Sequence, residues 1–319
     1  MKIRTACFES DAPAIASICT LGEPDQPVST EMVRTWFERD AAGRTSLRLV
    51  AQDDNGDVSG YCAAVHDTWI PDGHFFYWMG VFPSHQGKGC GTALWKAAQV
   101  FMQEHGVTRI MSEVLDNAPA GLAYAQKIGF TIDRQIFDSS LDLTTFDEAP
   151  FLEGIKRVGN EGIRFCSLAD FPDTPENHQK FYELNFAVVQ DIPGEDWEFA
   201  EYHKFFEERI WGSPRFRREN HILALDGDTW VGFASVALFP EDHRAYNNTT
   251  GVIRAYRGRK IAVALKVLAA RYVRSRGALT ITTDNDSTNA PILAVNQKMG
   301  YIPRPGKYML VRTEGAGTA

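Results

Sequence analysis

The chain of 319 residues repeats one pattern around two basic, glycine-containing turns. The first turn reads Gln-Gly-Lys-Gly at 86–89 and the second reads Arg-Gly-Arg-Lys at 257–260, an offset of 257 − 86 = 171. Other landmarks keep this offset to within one residue: Gly60 with Gly232, Gly106 with Gly277, Asn117 with Asn289, and Gly129 with Gly300. A register held from residue 60 to residue 129 predicts two copies of one domain.

The length of the chain suits two domains of ordinary size. We place the first domain at 1–145, a linker at 146–161 and the second domain at 162–319. Apolar runs and turn residues predict the order β α α β β β α β α β β in each copy, with two closing strands after Phe130 and an enlarged helical region at 174–210. This order predicts an α/β fold in which helices flank a mixed central β-sheet.

Composition narrows the function classes. A net charge of −8 and a pI near 5.5 argue against broad binding of nucleic acid or anionic membranes, and they leave room for a cationic substrate. The five cysteines are scattered without CxxC spacing, so neither a disulfide framework nor a zinc site is indicated, and a reducing cytoplasm fits best. No apolar run has the length of a membrane span or of a signal-peptide core.

The first glycine-rich turn has the chemistry of a phosphate site. A turn of this kind before a helix presents backbone N–H groups where the helix dipole favours an anion. Gly87, Gly89 and Gly91 permit close approach of the backbone, and Lys88 adds a cation. The alternative is a tight strand-to-helix turn without a ligand. A Walker loop is absent, and a dinucleotide GxGxxG motif would need glycine at position 92 or at position 94, where Thr92 and Leu94 stand.

Cys90 lies inside this turn, at the predicted start of a helix. The helix dipole favours a thiolate there, so an exposed Cys90 is predicted to react faster with iodoacetamide than the other four cysteines. The alternative is a small side chain that fills space beneath the turn.

The first copy resembles the GCN5-related N-acetyltransferases (GNAT), whose pyrophosphate-binding motif is [QR]xxGx[GA]. The matching residues run from Val81 to Gly91 and are followed by Asn117 and by Gly129-Phe130. The resemblance covers both copies and is similar to two-domain members of the mycothiol synthase and Eis-like groups. It implies two tandem GNAT domains with acetyl-CoA (coenzyme A) as cofactor. The cofactor contacts that it implies in the first copy are Val81, Phe82, Gln86, Gly87, Lys88, Gly89, Cys90, Gly91, Thr92 and Asn117.

The second copy departs from the motif at Lys260, which stands where the first copy has Gly89. Nearby arginines are expected to compensate by their charge. The cofactor contacts implied there are Val252, Ile253, Arg257, Gly258, Arg259, Lys260, Ile261, Ala262, Asn289 and Asn296. Two outcomes are open, a second cofactor site or a scaffold that shapes the substrate cleft, and we favour the first copy for the reaction.

The chemistry of the family is direct attack of an amine on the thioester, which needs a base for the ammonium and an acid for the thiolate. Glu113 and His74 are the candidate bases and Tyr124 the candidate acid. Many family members have a tyrosine four residues before the glycine of the final Gly-Phe pair, where this chain has Ala125. Tyr124 is rotated from that position by about 100° on the helix. The alternative is therefore that Tyr124 packs in the core and that the thiolate departs with the help of water.

The sequence therefore predicts an N-acetyltransferase that moves acetyl from acetyl-CoA to a primary amine of a small molecule, with the N-terminal domain catalytic. Two alternatives stay open: a non-catalytic acyl-CoA-binding module, and a peptide or protein N-acetyltransferase. The predicted partner is the small-molecule amine, with no nucleic acid, no membrane and no metal, and the predicted assembly is a monomer or homodimer in the cytoplasm.

Overall fold

The computed structural model describes residues 1–22, 27–67, 70–192, 198–213 and 216–314. The chain divides into two compact units. The first unit comprises residues 1–135 and 305–319, and the second comprises residues 136–304. The domain limits drawn from the sequence, at 145 and 162, follow the repeat, whereas the first compact unit takes its residues from both ends of the chain.

The first unit is a mixed β-sheet between two pairs of helices. Its strands, in their order across the sheet, are β1 (Lys2–Thr5), β2 (Thr45–Gln52), β3 (Val58–His66), β4 (His74–Val81), β5 (Arg109–Leu115) and the end of β12 (Ile302–Thr313). Its helices are α1 (Phe8–Gly22), α2 (Thr30–Ala41), α3 (Cys90–Glu104) and α4 (Pro119–Lys127). Strands β4 and β5 are parallel, while the other neighbouring pairs in this order are antiparallel.

Alternation along β4 separates the two faces of this sheet. Tyr77 packs edge-on against Trp95 of α3, with ring centroids 5.0 Å apart. Gly80 lies on the opposite face, where an added Cβ would come within 2.5 Å of Ile18 in α1. One apolar core therefore fills the space under α3, and a second fills the space under α1.

The second unit repeats this arrangement. Its strands, in their order across the sheet, are β6 (Thr131–Asp142), β11 (Thr280–Asp286), β10 (Arg244–Val252), β9 (Thr229–Phe239), β8 (His221–Asp226) and β7 (Ile163–Ser167). Its helices are α5 (Ala149–Asn160), α6 (Pro175–Val189), α7 (Phe199–Phe205), α8 (Ile261–Ser275) and α9 (Ala290–Met299), and a π-helical turn, Phe206–Trp211, follows α7. Strands β10 and β11 are parallel. Within the described ranges, no helix has the length and apolar character needed to cross a membrane.

Two strands, which we call the exchanged strands, carry the chain from one unit into the other. Strand β6 begins in the first unit and pairs antiparallel with β11 of the second unit from residue 136 onward. Strand β12 begins in the second unit and pairs antiparallel with β5 of the first unit, from Lys307 opposite Leu115 to Thr313 opposite Arg109. The side chain of Leu310 is thereby buried in the first unit.

Two sequence predictions about this region are corrected. Residues 131–142 form one strand rather than two, because they contain no glycine or proline that would turn the chain. Most of the segment predicted as a linker is helix α5, in which Phe151 and Val158 are buried. Pro150 stands in the first turn of α5, where a missing N–H costs nothing, so it starts this helix instead of breaking it.

Candidate active site

A wedge opens between the parallel strands β4 and β5. Their pairing runs from His74 opposite Arg109 to Phe76 opposite Met111, and both strands then continue, to Val81 and Leu115. Because the pairing stops while the strands go on, their carboxyl ends diverge. Ligands of open α/β sheets bind in such crevices at the carboxyl ends of strands.

The predicted phosphate turn stands at the end of this wedge. After β4 the chain makes a short 3₁₀ turn, Pro83–His85, and α3 begins at Cys90. Gly87 and Gly89 have φ of 72° and 86°, and a Cβ added to either would meet nothing within 4 Å, so both face open space. The Gln86 side chain donates to the Val81 carbonyl at 3.1 Å and ties the turn to the strand. The first turn of α3 therefore presents its N–H groups, with Lys88, to an open anion site.

Most of the predicted contacts of the first copy come together here. Phe82 follows β4 and donates its N–H to the Ser59 carbonyl at 3.0 Å, and Thr92 is exposed in the first turn of α3. Asn117 is exposed in the turn between β5 and α4, at the same end of the sheet.

Cys90 does not share this exposure. Only 2% of it is accessible, and its Sγ lies 3.8 Å from Ser59 Oγ on β3. Burial raises the pKa of the Cys90 thiol, against the effect of the Ser59 hydroxyl. The condition for the predicted fast alkylation is therefore not met: the Cys90 side chain points under the turn into the core, as the alternative of a small space-filling side chain has it.

Tyr124 lies on the α3 side of the wedge. A Cβ added to Gly91 would be 3.6 Å from its ring and 3.2 Å from Cε of Met79, so α4, α3 and β4 converge at this point. The Tyr124 hydroxyl is buried and approaches Thr92 without reaching good hydrogen-bond geometry with any described residue. Burial raises the pKa of Tyr124, an effect that Thr92 opposes. Although Tyr124 is one residue away from the position of the family pattern, its hydroxyl still lies beside the predicted phosphate turn.

Glu113 lies on the opposite face of the sheet. Phe76 is paired with Met111, so alternation places Glu113 on the face of Trp78 and Gly80, beneath α1. Lys307 of β12 approaches Glu113 Oε1 at 3.2 Å. Burial nevertheless raises the pKa of Glu113 and lowers that of Lys307, so loss of solvation outweighs the attraction between the two charges.

His74, the other candidate base, is not brought to the wedge. It is the first residue of β4, opposite Arg109 at the closed end. Val81 lies seven Cα steps further along the extended strand, roughly 23 Å from His74. Burial lowers the pKa of His74, and the charges of Arg109 and His66 act in the same direction. We therefore leave His74 out of the candidate site.

The second unit has a wedge and turn of the same form. Strands β10 and β11 pair from Arg244 opposite Thr280 to Tyr246 opposite Thr282, and both then continue. Arg257 Nε donates to the Val252 carbonyl at 2.9 Å, as Gln86 does in the first unit. The remaining predicted contacts occupy the same turn or the start of α8 or α9: Ile253, Gly258, Arg259, Lys260, Ile261, Ala262 and Asn289. Lys260 has a left-handed φ of 63°, in the same region of backbone conformation as Gly89 of the first unit, whose φ is 86°.

The arginines of this second turn are already paired with carboxylates. Asp191 contacts Arg254 at 2.5 Å and also binds Arg257. Arg259 Nε lies 3.6 Å from Glu161. These ion pairs neutralise part of the charge that was expected to compensate for the missing glycine.

Asn296 is turned into the core instead of toward the wedge. It is 3% exposed, its Oδ1 accepts from Lys266 Nζ at 2.5 Å, and its Nδ2 donates to Asn285 Oδ1 at 2.6 Å. Both ends of the amide are used inside the protein, so we leave Asn296 out of the cofactor contacts. Lys266 also lies over the ring of Tyr301, 4.9 Å from its centroid. No pattern in the sequence predicted that a lysine in an apolar helix would occupy this position.

Buried Lys266 makes the stability of the second unit depend on pH. Burial lowers the pKa of Lys266 from 10.5 to about 7, so between those values the unfolded chain binds more protons than the folded one. Stability is therefore expected to rise with pH through this window, by about 1.4 kcal/mol per pH unit near its middle, and to be flat below it. Denaturant titration at pH 7 to 10 checks this.

The variant Lys266→Met should lose that pH slope, whereas Lys180→Met, which removes an exposed lysine of α6, should keep it. Equal slopes in the two variants would contradict the assignment of the slope to Lys266.

Two polar contacts, Tyr246 with Asp284 and Glu113 with Lys307, were not predicted from the sequence. Tyr246 donates across the second wedge to Asp284 Oδ1 at 2.8 Å, and Asp284 is opposite Asp138 of β6. Burial and the charge of Asp284 raise the pKa of Asp138. Asp284 occupies the repeat position of Glu113, 284 − 113 = 171 residues later, which was the available signal. The ion pair of Glu113 with Lys307 spans 194 residues and had no signal in the sequence.

The chain belongs to the acetyltransferase (GNAT) family, whose model matches residues 13–130 and 181–301. The resemblance inferred from the two turns is thereby confirmed, together with the tandem arrangement, the α/β fold class and the N-acetyltransferase class of enzyme. Acetyl-CoA is accordingly the cosubstrate.

Curated relatives agree with this family. Streptothricin acetyltransferase of Streptomyces lavendulae is 36% identical over 97 residues, which are 28% of this chain and 46% of that protein. Mycothiol acetyltransferase of Corynebacterium glutamicum is 26% identical over 234 residues, 70% of each chain. The enzyme of the same name from Acidothermus cellulolyticus is 24% identical over 290 residues, 86% of this chain and 82% of that one.

Solved structures show the same tandem fold. A GCN5-related N-acetyltransferase from Sphaerobacter thermophilus has a TM-score of 0.64 at 18% identity, and the match covers 98% of this chain and 95% of that one. A tandem GNAT protein from the clavulanic acid biosynthesis pathway has a TM-score of 0.60 at 19% identity, with 100% and 99% covered.

Proposed function

We propose that the first unit transfers acetyl from acetyl-CoA to a primary amine of a small molecule. One observation carries this proposal: Glu113 and Tyr124 lie on opposite faces of the sheet at the same open wedge, and Tyr124 adjoins the glycine turn 86–92. An acetyl group held in the wedge thus has a base on one side and a proton donor on the other. The second unit differs at the proposed acid, since Val295 stands at the repeat position of Tyr124 (295 − 124 = 171) and Asn296 beside it is turned into the core.

The residues fit the separate steps of this reaction. The pyrophosphate binds to the N–H groups of the turn 86–92 and to Lys88, which places the thioester in the wedge. Glu113 takes a proton from the bound ammonium, and the free amine attacks the thioester carbonyl. The carbon–sulfur bond then breaks, Tyr124 donates its proton to the departing thiolate, and the second proton that the new amide nitrogen loses restores the Tyr124 hydroxyl, so that Glu113 alone has gained a proton. Burial supports both roles, because it raises the proton affinity of the carboxylate and keeps the phenol protonated.

A small cationic acceptor is supported by charge and by the relatives. The chain is acidic overall, and the proposed base is itself a carboxylate. The names of its relatives refer to two small molecules, streptothricin and mycothiol. The five cysteines are all unpaired, which supports work in a reducing cytoplasm.

Release of free CoA with a panel of amines tests the proposal. We expect turnover with at least one small diamine or amino sugar and none with peptides that have a free N-terminus. Tight acetyl-CoA binding without turnover on any amine would instead favour a binding module, and turnover on peptides alone would favour a protein acceptor.

Replacement of the proposed base tests the mechanism directly. Glu113→Gln is expected to lower kcat roughly 100-fold at neutral pH, with a smaller loss at higher pH, where more of the amine is already deprotonated. The pH profile of kcat/KM checks this, because the acid limb of the wild-type protein should disappear in the variant.

Lys307→Met is the matched control for that limb. Removal of the ammonium 3.2 Å from Glu113 should raise the pKa of the carboxyl, so the acid limb should move up by roughly one pH unit. An acid limb that stays in place in both variants would assign the titrating group elsewhere.

A further inference from the structure

An open pocket of about 610 Å³ lies in the second unit between α5, the start of α8 and the end of α9. Helix α5 runs antiparallel to α8, since Glu148 before α5 pairs with Arg271 near the end of α8, and Glu161 after α5 pairs with Arg259 just before α8. This helix falls between the two repeats, and the first unit has no counterpart among its described elements. The volume is in the range of small-ligand sites.

The charge of the pocket is strongly positive. Its lining includes Lys156 and Arg157 of α5, Lys260 before α8, and Lys298 of α9, against a single carboxylate, Glu153. Arg157 has only a long contact of 3.9 Å with Glu161, and Lys298 lies 5.9 Å from the ring centroid of Phe151. The lining thus carries four cations against one carboxylate, and this excess of positive charge favours an anion in the open pocket.

The arginines next to the pocket differ from its lysines, because the arginines are paired with carboxylates. Arg254 and Arg257, on the same turn as Lys260, are held by Asp191. Lys156 and Lys260 have no ion pair with any described residue, although both line the pocket. The free positive charge of this part of the second unit is therefore concentrated in the pocket and not at the arginines of the turn.

We propose that this pocket binds an organic phosphate of nucleotide size. Lysine and arginine side chains provide charge-assisted hydrogen bonds to phosphate oxygens, and the cavity has room for a nucleoside as well as its phosphates. Asn160, also in the lining, adds an amide that can bond to a base or ribose. This site is separate from the acetyl transfer proposed for the first unit, because its cations come from α5, α8 and α9.

Calorimetric titration with ADP tests the site. The full-length chain should carry Gly89→Asp, so that the turn of the first unit does not contribute binding. We expect ADP to bind with an affinity that falls as the salt concentration is raised, and adenosine to produce no heat of binding. The double variant Lys156→Gln/Arg157→Gln should bind ADP at least tenfold more weakly, whereas Lys180→Gln, on α6 outside the pocket, should bind as before.

A space-filling variant provides a test that leaves the charges unchanged. Gly154 lines the pocket in the middle of α5, and a Cβ added there would meet nothing within 4 Å. Gly154→Phe should therefore keep the fold and abolish ADP binding, while Gly154→Ala should bind ADP as before. Thermal unfolding confirms that each variant is folded. No heat with ADP at millimolar concentration, equal binding of adenosine, or undiminished binding in Gly154→Phe would each overturn the proposal.

Discussion

A chain that ends at Arg304 is expected to lose the folded first unit. This truncation removes the part of β12 that pairs with β5 from Lys307 to Thr313. It also removes Leu310, which is 1% exposed, and loss of one such buried side chain alone costs about 2 to 5 kcal/mol. With the backbone pairing lost as well, the cost approaches the whole stability of a domain.

Hydrogen exchange measures this effect element by element. We expect amides of β2 to β5 to lose protection in the truncated chain and acetyl-CoA binding to disappear, while amides of β8 and β9 stay protected. A chain that ends at Glu314 keeps all of β12 and is the matched control. Protection of β4 and β5 that survives truncation at Arg304 would contradict the expected dependence of the first unit on β12.

Gly89→Asp is expected to weaken acetyl-CoA binding several hundred-fold. Gly89 has φ of 86°, and a side chain there costs about 1 kcal/mol in backbone strain. The new carboxylate also stands where the pyrophosphate is expected, so charge-assisted bonds of about 1.5 to 3 kcal/mol are replaced by repulsion. Titration calorimetry with acetyl-CoA gives both the affinity and the number of sites.

Gly89→Asn is the isosteric control, since asparagine tolerates a left-handed φ and carries no charge. We expect it to weaken binding less than tenfold. Loss of the single site in Gly89→Asp would leave the second unit as a scaffold, and one surviving site of two would show that both turns bind. Equal affinities of the Asp and Asn variants would argue that no phosphate lies against this turn.

The repeat made much of the fold predictable. Glycines at matching positions mark turns that need a positive φ, and Gly87, Gly89 and Gly258 all have one. The positions of these turns, together with apolar periodicity, were enough to infer the element order up to Phe130 and the glycine turn before α3, whose phosphate-binding role stays a prediction. Both features depend on residues close together in the sequence.

Features that depend on distant residues could not be predicted in this way. Lys307 meets Glu113 only because β12 crosses to the first unit, and sequence spacing gives no information on such a crossing. Cys90 and Asn296 occupy positions that suit a ligand by motif, yet each side chain turns inward, to Ser59 and to Lys266 respectively. The direction of a side chain depends on which neighbours pack around it, and those neighbours come from other elements.

The exchanged strand also sets the order in which the protein becomes active during synthesis. Strand β5 is made early, but its partner Lys307 follows Leu115 by 307 − 115 = 192 residues. At roughly 5 to 20 residues per second, the ribosome needs about 10 to 40 seconds to make them, and the edge of β5 is unpaired during that time. The unit that we propose to be catalytic is therefore begun first and completed last. A messenger broken before the codons for Lys307 to Thr313 would therefore yield chains whose first unit is incomplete.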